Sequence, residues 1–363
     1  MASKKILQSI NKFRKDILSG ELPYGYLLPS EKVLAESMQL SRPTVSKIYD
    51  TLRGEGLIQK KKGYGTSVIY TANKKSRSFG LLFPGAGESE IFGLISDYFL
   101  NIEEQNDVKF LRDGAVAYNA EIRKNNILEA CQMYIENKVD GVFFAPLERI
   151  DIANTLNKNI YELIDKNNIP LILLDRDVDK FPTRSKYPVV GLDNYSAGYL
   201  MTKHLIENGG KKIIFLSRRE SASSVYKRIM GCKSCCFDYG IPFDKSNMVI
   251  GDPSDINTVK AMQIVSGETA VICGNDATAA TLMLTLGELG LEVTRDLIMA
   301  GFDDMKYAKV LQVPLTSYRQ PLLEIVETSY EMMLNRLVDK KKTALNIDIS
   351  GKIIVRDSST FKI

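Results

Sequence analysis

Apolar residues in this chain follow two rhythms, and the change between them falls in the seventies. In the first part they recur at helical spacing within short segments. Ile6, Ile10, Phe13 and Ile17 predict a helix over 4–18 that Gly20 stops. Ser30, after Pro29, reads as the N-cap of a second helix whose apolar set is Val33, Leu34 and Met38. Ser41 caps a third, with Pro43 in its first turn and a stripe of Val45, Ile48, Tyr49 and Leu52. The link Gln39-Leu40-Ser41 is as tight as a helix-turn-helix requires, and Gly54 and Gly56 end the later helix. Runs at 57–60 and 66–69 then flank Lys61-Lys62-Gly63-Tyr64-Gly65, a glycine-bearing hairpin turn.

Residues 71–78, TANKKSRS, have nothing to bury and read as a linker. From Phe79 the rhythm becomes short apolar runs alternating with helices. Strand-like runs are expected at 80–83, 109–111, 139–144, 170–174, 189–192, 212–216, 271–273 and 297–302. Helical stretches are expected at 91–100, 126–137, 152–167, 196–208, 223–239 and 277–289. Such alternation, with strands apolar on both faces, means parallel sheets covered by helices. Polar residues gather where these strands end: Pro84, Pro146, Asp175, Arg176, Asn275, Asp276 and Asp303, joined by Arg228 and Gln320. Open α/β sheets bind ligands there. Paired donors and acceptors of this kind suit a neutral polyhydroxy ligand, with Phe92 covering the apolar face of a ring. Asp193, Asn194 and Asp304 are assigned mainly to capping and loop structure, which Asp and Asn at strand–helix junctions often serve.

Charge sharpens the division. Residues 1–78 hold 15 Lys and Arg against 6 Asp and Glu, hence +9; the remainder holds 33 against 38, hence −5, within an overall +4. A basic head on a mildly acidic body is the footprint of a nucleic-acid reader. A helix opening at Ser41 sets Arg42, Pro43, Thr44, Ser46 and Lys47 on the end that enters a major groove. Arg42, Thr44 and Ser46 are the expected base readers, and Lys47, Lys60, Lys61 and Lys62 the expected phosphate contacts. Ser30, Lys32, Gly63, Tyr64 and Gly65 complete the expected interface. The five cysteines are odd in number and lack a histidine cluster, since His204 is the single histidine; they read as reduced thiols with no metal. No run approaches the ~20 apolar residues of a membrane span, and the first residues lack a signal-peptide core, so a cytoplasmic protein is expected.

The head resembles the winged helix-turn-helix of the GntR family of bacterial repressors through Leu28-Pro29-Ser30-Glu31, Ser41-Arg42-Pro43-Thr44-Val45, Glu55-Gly56-Leu57-Ile58 and Gly63-Tyr64-Gly65-Thr66. It departs from that pattern at Lys32 and Tyr64, where the family usually carries arginine, so a point charge replaces a bidentate contact at Lys32. The body resembles the effector domain of LacI/GalR repressors, itself similar to periplasmic sugar-binding proteins. The matching stretches include GLLFP at 80–84, DGVFFAP at 140–146, LLDR at 173–176, VGLDNYSAG at 190–198, VICGNDATAA at 271–280, IMAGFDD at 298–304 and PLTSYRQP at 314–321.

These resemblances imply an α/β fold: a small winged helix-turn-helix domain at 1–70, a linker at 71–78, and a two-lobed periplasmic-binding-protein-like domain with parallel sheets at 79–363. The implied N-lobe is about 79–190 with 321–346, and the implied C-lobe about 191–318 with 347–363, crossing near Pro188, Tyr318 and Asn346. Effector contacts would fall on the loop up to Phe92 and on Asp175, Arg176, Arg228, Asn275, Asp303 and Gln320. The combination is similar to the arabinose repressors of Gram-positive bacteria. It implies a homodimeric repressor of sugar-utilisation genes, bound to double-stranded operator DNA and released by a small sugar. That sugar would be a pentose or hexose, with L-arabinose the leading expectation, and no cofactor is implied. Rival readings are a GntR-headed pyridoxal-phosphate aminotransferase, a sugar-responsive activator and a transport-type binding protein. Lys203 and Lys260 lie in helical stretches with no phosphate cradle, and neither GxSxG nor GxxxxGK[ST] occurs, which argues against an enzyme.

Overall fold

The computed structural model describes residues 2–61, 65–70, 76–84, 90–112, 120–148, 153–179, 182–339 and 343–362. The chain divides into two compact units, Met1–Arg77 and Ser78–Ile363. In the first, α1 (Ala2–Leu18) is followed by β1 (Leu27–Leu28), α2 (Glu31–Met38), α3 (Arg42–Gly54), β2 (Ile58–Lys61) and β3 (Gly65–Val68). The three strands form an antiparallel sheet in the order β1-β3-β2. Both expected caps form: the Ser30 hydroxyl accepts from the Val33 N–H and the Ser41 hydroxyl from the Thr44 N–H. Ile10, Ile17, Val45, Ile48, Tyr49 and Leu52 close the core. The Tyr49 hydroxyl donates to the Pro29 carbonyl at 2.7 Å and so ties α3 to the start of α2. Val33, expected inside, is 54% exposed; Leu34 and Ala35 take the buried positions because α2 presents only one narrow face to α3.

The second unit holds two six-stranded sheets. Its chain runs β4 (Arg77–Leu82), α4 (Ile91–Gln105), β5 (Val108–Arg112), α5 (Ala120–Glu136), β6 (Gly141–Phe144), α6 (Ala153–Lys166), β7 (Leu171–Leu174) and β8 (Val189–Leu192). It continues through α7 (Asn194–Glu207), β9 (Lys212–Ser217), α8 (Ser223–Asp238), β10 (Met248–Ile250), α9 (Ile256–Ala261), β11 (Thr269–Cys273), α10 (Asp276–Glu288) and β12 (Leu297–Phe302). After β13 (Thr316–Arg319) come α11 (Leu322–Val338), β14 (Asn346–Ile349) and β15 (Lys352–Ile354). One sheet has the order β14-β8-β7-β6-β4-β5 and the other β10-β9-β11-β12-β13-β15. The expected parallel pairing holds from β9 through β13, and β15 adds an antiparallel edge on β13. Arg77 and Ser78, expected in the linker, already belong to β4, where the Ser78 N–H donates to Asp140.

Each sheet is buried on both faces, which explains the unbroken apolar runs: one lobe divides its core between Phe79, Phe99 and Phe143 on one side and Tyr134, Phe144 and Ile160 on the other. The second lobe repeats the plan around Leu216, Val271 and Met299 and around Phe215, Ile272 and Phe302. Helices α7 and α8 approach unusually closely. A Cβ on Gly198 would stand 2.1 Å from the Arg228 carbonyl oxygen, and one on Gly231 would stand 2.0 Å from that of Tyr195. Only glycine allows that approach, and it brings Arg228 on α8 against Asn194 at the start of α7.

Candidate ligand cleft and nucleic-acid interface

In both sheets the strand order reverses, between β4 and β6 in one and between β9 and β11 in the other. At such a switch point adjacent loops diverge and leave a crevice at the strands' carboxyl ends. A cleft of about 430 Å³ lies there. It gathers Phe92 from α4, Asp175 and Arg176 after β7, Arg228 from α8, Asn275 after β11, Asp303 after β12 and Gln320 after β13. Seven of the sequence-predicted residues therefore line one cavity. Pro84 and Pro146 do not; both are buried, and the Pro146 carbonyl instead accepts from Arg176 Nε at 2.7 Å. Residues 85–89, part of the expected contact loop, lie outside the described residues.

The cleft side chains are already anchored on one side. Arg228 is 4% exposed; its Nε donates to Asn194 Oδ1 at 2.8 Å, its Nη1 to the Gly274 carbonyl at 2.6 Å, and its guanidinium lies 4.4 Å from the Phe302 ring centroid. Asn194 thus has a defined task, orienting Arg228, while Asp193 caps α7 as expected. Arg176 pairs through Nη1 with Glu148 at 3.2 Å and with Asp175 at 3.5 Å. Its guanidinium lies 5.5 Å from the Phe92 centroid, so one face of the ring expected to cover a sugar carries an arginine. Asn275 caps α10, its Oδ1 accepting from the Thr278 N–H and hydroxyl; that leaves the carboxamide NH2 for a ligand. Gln320 Nε2 donates to Asp303 Oδ1 at 2.6 Å, leaving its own carbonyl turned to other use.

Asp303 is held by its backbone. At φ +105° it occupies a region that side-chain-bearing residues rarely adopt, a strain of about 1–3 kcal/mol. Asp276 secures the turn: its Oδ2 accepts from the Met305 N–H at 2.8 Å and its Oδ1 from the Ser317 hydroxyl at 2.6 Å. Asp276 was expected among the ligand contacts; it acts instead beneath them, fully buried. Burial pushes the Asp303 carboxyl up to about 6, opposed by Arg228 and the Gln320 bond. Burial likewise raises Asp175, against the pull of Arg176.

Sequence reasoning missed Glu148, Arg218, Ser221 and Ser224, which also line the cleft. Glu148 had a legible signal, an acid at the carboxyl end of an apolar strand. The others lie on the loop and first turn after β9, where spacing says nothing about direction.

On the head, Arg42, Pro43 and Lys47 are exposed at the start of α3, with Thr44 and Ser46 half-buried between them. Ser41 and Thr44 hydroxyls bond each other at 2.8 Å. Lys60 pairs with Glu31 at 2.8 Å, so it must exchange that partner to reach a phosphate. Ser30 serves as a cap, and Lys32 and Lys61 are exposed; Lys62, Gly63 and Tyr64 lie outside the described residues, next to Gly65. The five cysteines are free and buried. No described helix is long and apolar enough to cross a membrane.

Comparison with known proteins agrees with both halves. Residues 6–68 match the bacterial regulatory proteins of the gntR family, and residues 202–359 match the periplasmic binding protein-like domain. The transcriptional repressor PurR of Vibrio vulnificus is 29% identical over 232 residues, 62% of this chain; the chain spans 66% of that relative's length. A LacI family transcriptional regulator of Enterococcus faecium with bound ribose superposes at TM-score 0.62 with 22% identity, covering 78% of this chain and 99% of that one. A lac repressor dimer bound to operator and an anti-inducer superposes at TM-score 0.62 with 17% identity, covering 80% and 96%. The chain joins a gntR-type helix-turn-helix region to a periplasmic-binding-protein-like domain whose fold is similar to that of LacI-family regulators.

Proposed function

We propose that the protein is a cytoplasmic transcriptional repressor that binds operator DNA through α3 and the β2–β3 hairpin and leaves it when a small neutral sugar enters the cleft. The observation that carries this reading is the coexistence in one chain of an exposed, capped, basic helix and a cleft lined by hydrogen-bonding groups already fixed in direction. A site built to pair hydroxyls rejects analogues that lack them, because its own buried groups would be left unsatisfied. The ribose-bound neighbour supports a sugar, and the resemblance to arabinose repressors makes L-arabinose the first candidate. A homodimer, as in the operator-bound neighbour, presents two heads to a two-fold site. Effector binding shifts DNA affinity only through its different affinity for two arrangements of the lobes. A melting-temperature panel of pentoses and hexoses, repeated with gel-shift release of operator, tests the reading. A sugar that raises the melting temperature and releases DNA supports it; a panel in which none does either overturns it. Reporter expression in a deletion strain separates repressor from activator.

A further inference from the structure

The cleft contains a carboxylate where a charged ligand would most readily dock. Helix α8 opens at Ala222, whose side chain supplies no cap. The Ala222 N–H instead donates to Glu148 Oε2 at 2.6 Å, and Glu148 comes from the loop after β6, in the opposite lobe. The same oxygen lies 3.2 Å from Arg176 Nη1, and Glu148 is 7% exposed. An acidic side chain therefore holds both a helix N-terminus and a buried arginine, the two elements that attract phosphate. With it in place, three arginines (Arg176, Arg218, Arg228) and three carboxylates (Glu148, Asp175, Asp303) line the cleft. Without it the cationic groups would be in excess.

We infer that Glu148 is the specificity residue that restricts this cleft to neutral ligands and excludes phosphorylated or carboxylated sugars. The inference rests on the sugar-binding reading and adds the residue that sets the charge class of the ligand. An incoming phosphate must either displace Glu148 from Ala222 and Arg176 or stay beside it as a like charge in a cavity of low dielectric. Both alternatives weaken binding. A neutral polyol meets no such conflict, and the Glu148 oxygens can accept its hydroxyls.

The test uses the full-length protein, its Glu148→Gln and Glu148→Ala variants, and inorganic phosphate and ribose 5-phosphate as probes. Gln keeps an oxygen to accept from the Ala222 N–H while removing the charge, whereas Ala removes both the charge and that acceptor. Wild type should show no phosphate-dependent rise in melting temperature. Both variants should bind either probe about tenfold or more tightly than wild type, with melting rising by about 2–4 °C once phosphate exceeds its dissociation constant tenfold. Variants that gain no phosphate response, or a wild type that responds as they do, overturn the inference. Failure of every neutral sugar to release operator would instead sink the functional reading while leaving the phosphate comparison intact.

Discussion

Replacing Asp303 by asparagine should stabilise the protein and weaken its response to ligand, and the structure sets the size of both effects. Burial raises the Asp303 carboxyl from 3.8 to about 6. A carboxyl whose folded value lies above its unfolded value binds protons more tightly in the folded state, so it lowers stability as pH rises from 4 through 6. The loss is complete above 6 and amounts to about 3 kcal/mol. Asparagine resembles the neutral carboxyl and keeps an oxygen for the Gln320 amide, so Asp303→Asn should recover up to about 3 kcal/mol at pH 7.5, several degrees of melting temperature. Below pH 4 the two proteins should be equally stable. Asp175 and Asp276 are raised by burial as well, but they contribute to both proteins, so the diagnostic quantity is the difference between two urea-melt series over pH 3.5–8. Losing a charged acceptor should meanwhile weaken sugar binding about 10- to 100-fold. A variant less stable than wild type at pH 7.5, or a difference flat across pH 4–6, would show that Arg228 and Gln320 already compensate the buried charge and would refute the reasoning.

Arg42→Ala should reduce operator affinity at least about tenfold in gel shifts while leaving sugar-induced stabilisation intact; unchanged affinity would remove the start of α3 from the interface. Arg228→Ala strands Asn194 and the Gly274 carbonyl, costing about 1–3 kcal/mol, and should give a protein that binds operator but ignores ligand. Normal release by that variant would move the ligand elsewhere. Lys60→Gln should weaken operator binding and flatten the slope of log K against log salt by about 0.9, measured by fluorescence anisotropy between 50 and 200 mM salt, while Glu31→Gln, which frees Lys60 from its ion pair, should strengthen binding; an unaltered slope in Lys60→Gln would exclude Lys60 as a phosphate contact.

What the sequence revealed was what local chemistry decides. Ser30 and Ser41 cap their helices because a hydroxyl beside an open helix start has one obvious use, and β12 falls at 297–302 as its apolar run predicts. Elements defined by distant partners were not legible. The edge strands β10, β14 and β15 are short and half-exposed, with little of an apolar run to recognise, and α9 is six residues long. Seven of the fifteen residues that line the cleft were legible because strand ends announce themselves. Its internal division of labour was not. Asp276 and Asn275 are neighbours at one helix start, yet one props the Asp303 turn and the other faces the cavity, a difference set by Ser317 and Met305 far along the chain.

On the proposed reading, the same anchoring would let a cleft of charged groups select a neutral molecule and still report its arrival. Arg228, Arg176, Asn275 and Gln320 each commit part of their hydrogen-bonding capacity to the protein, so a ligand meets groups fixed in direction and loses little entropy in orienting them. The two lobes are also joined before any ligand enters. Glu148 reaches Ala222, Tyr307 faces Glu90, and Met305 packs on the core that holds Ile91 and Phe92. Met305 is two residues from Asp303 and its N–H is held by Asp276, so a ligand pulling on Asp303 pulls on the contact between lobes. On the proposed function, ligand recognition and lobe arrangement would therefore share the turn at 303–305, and differential affinity would need no longer path than that.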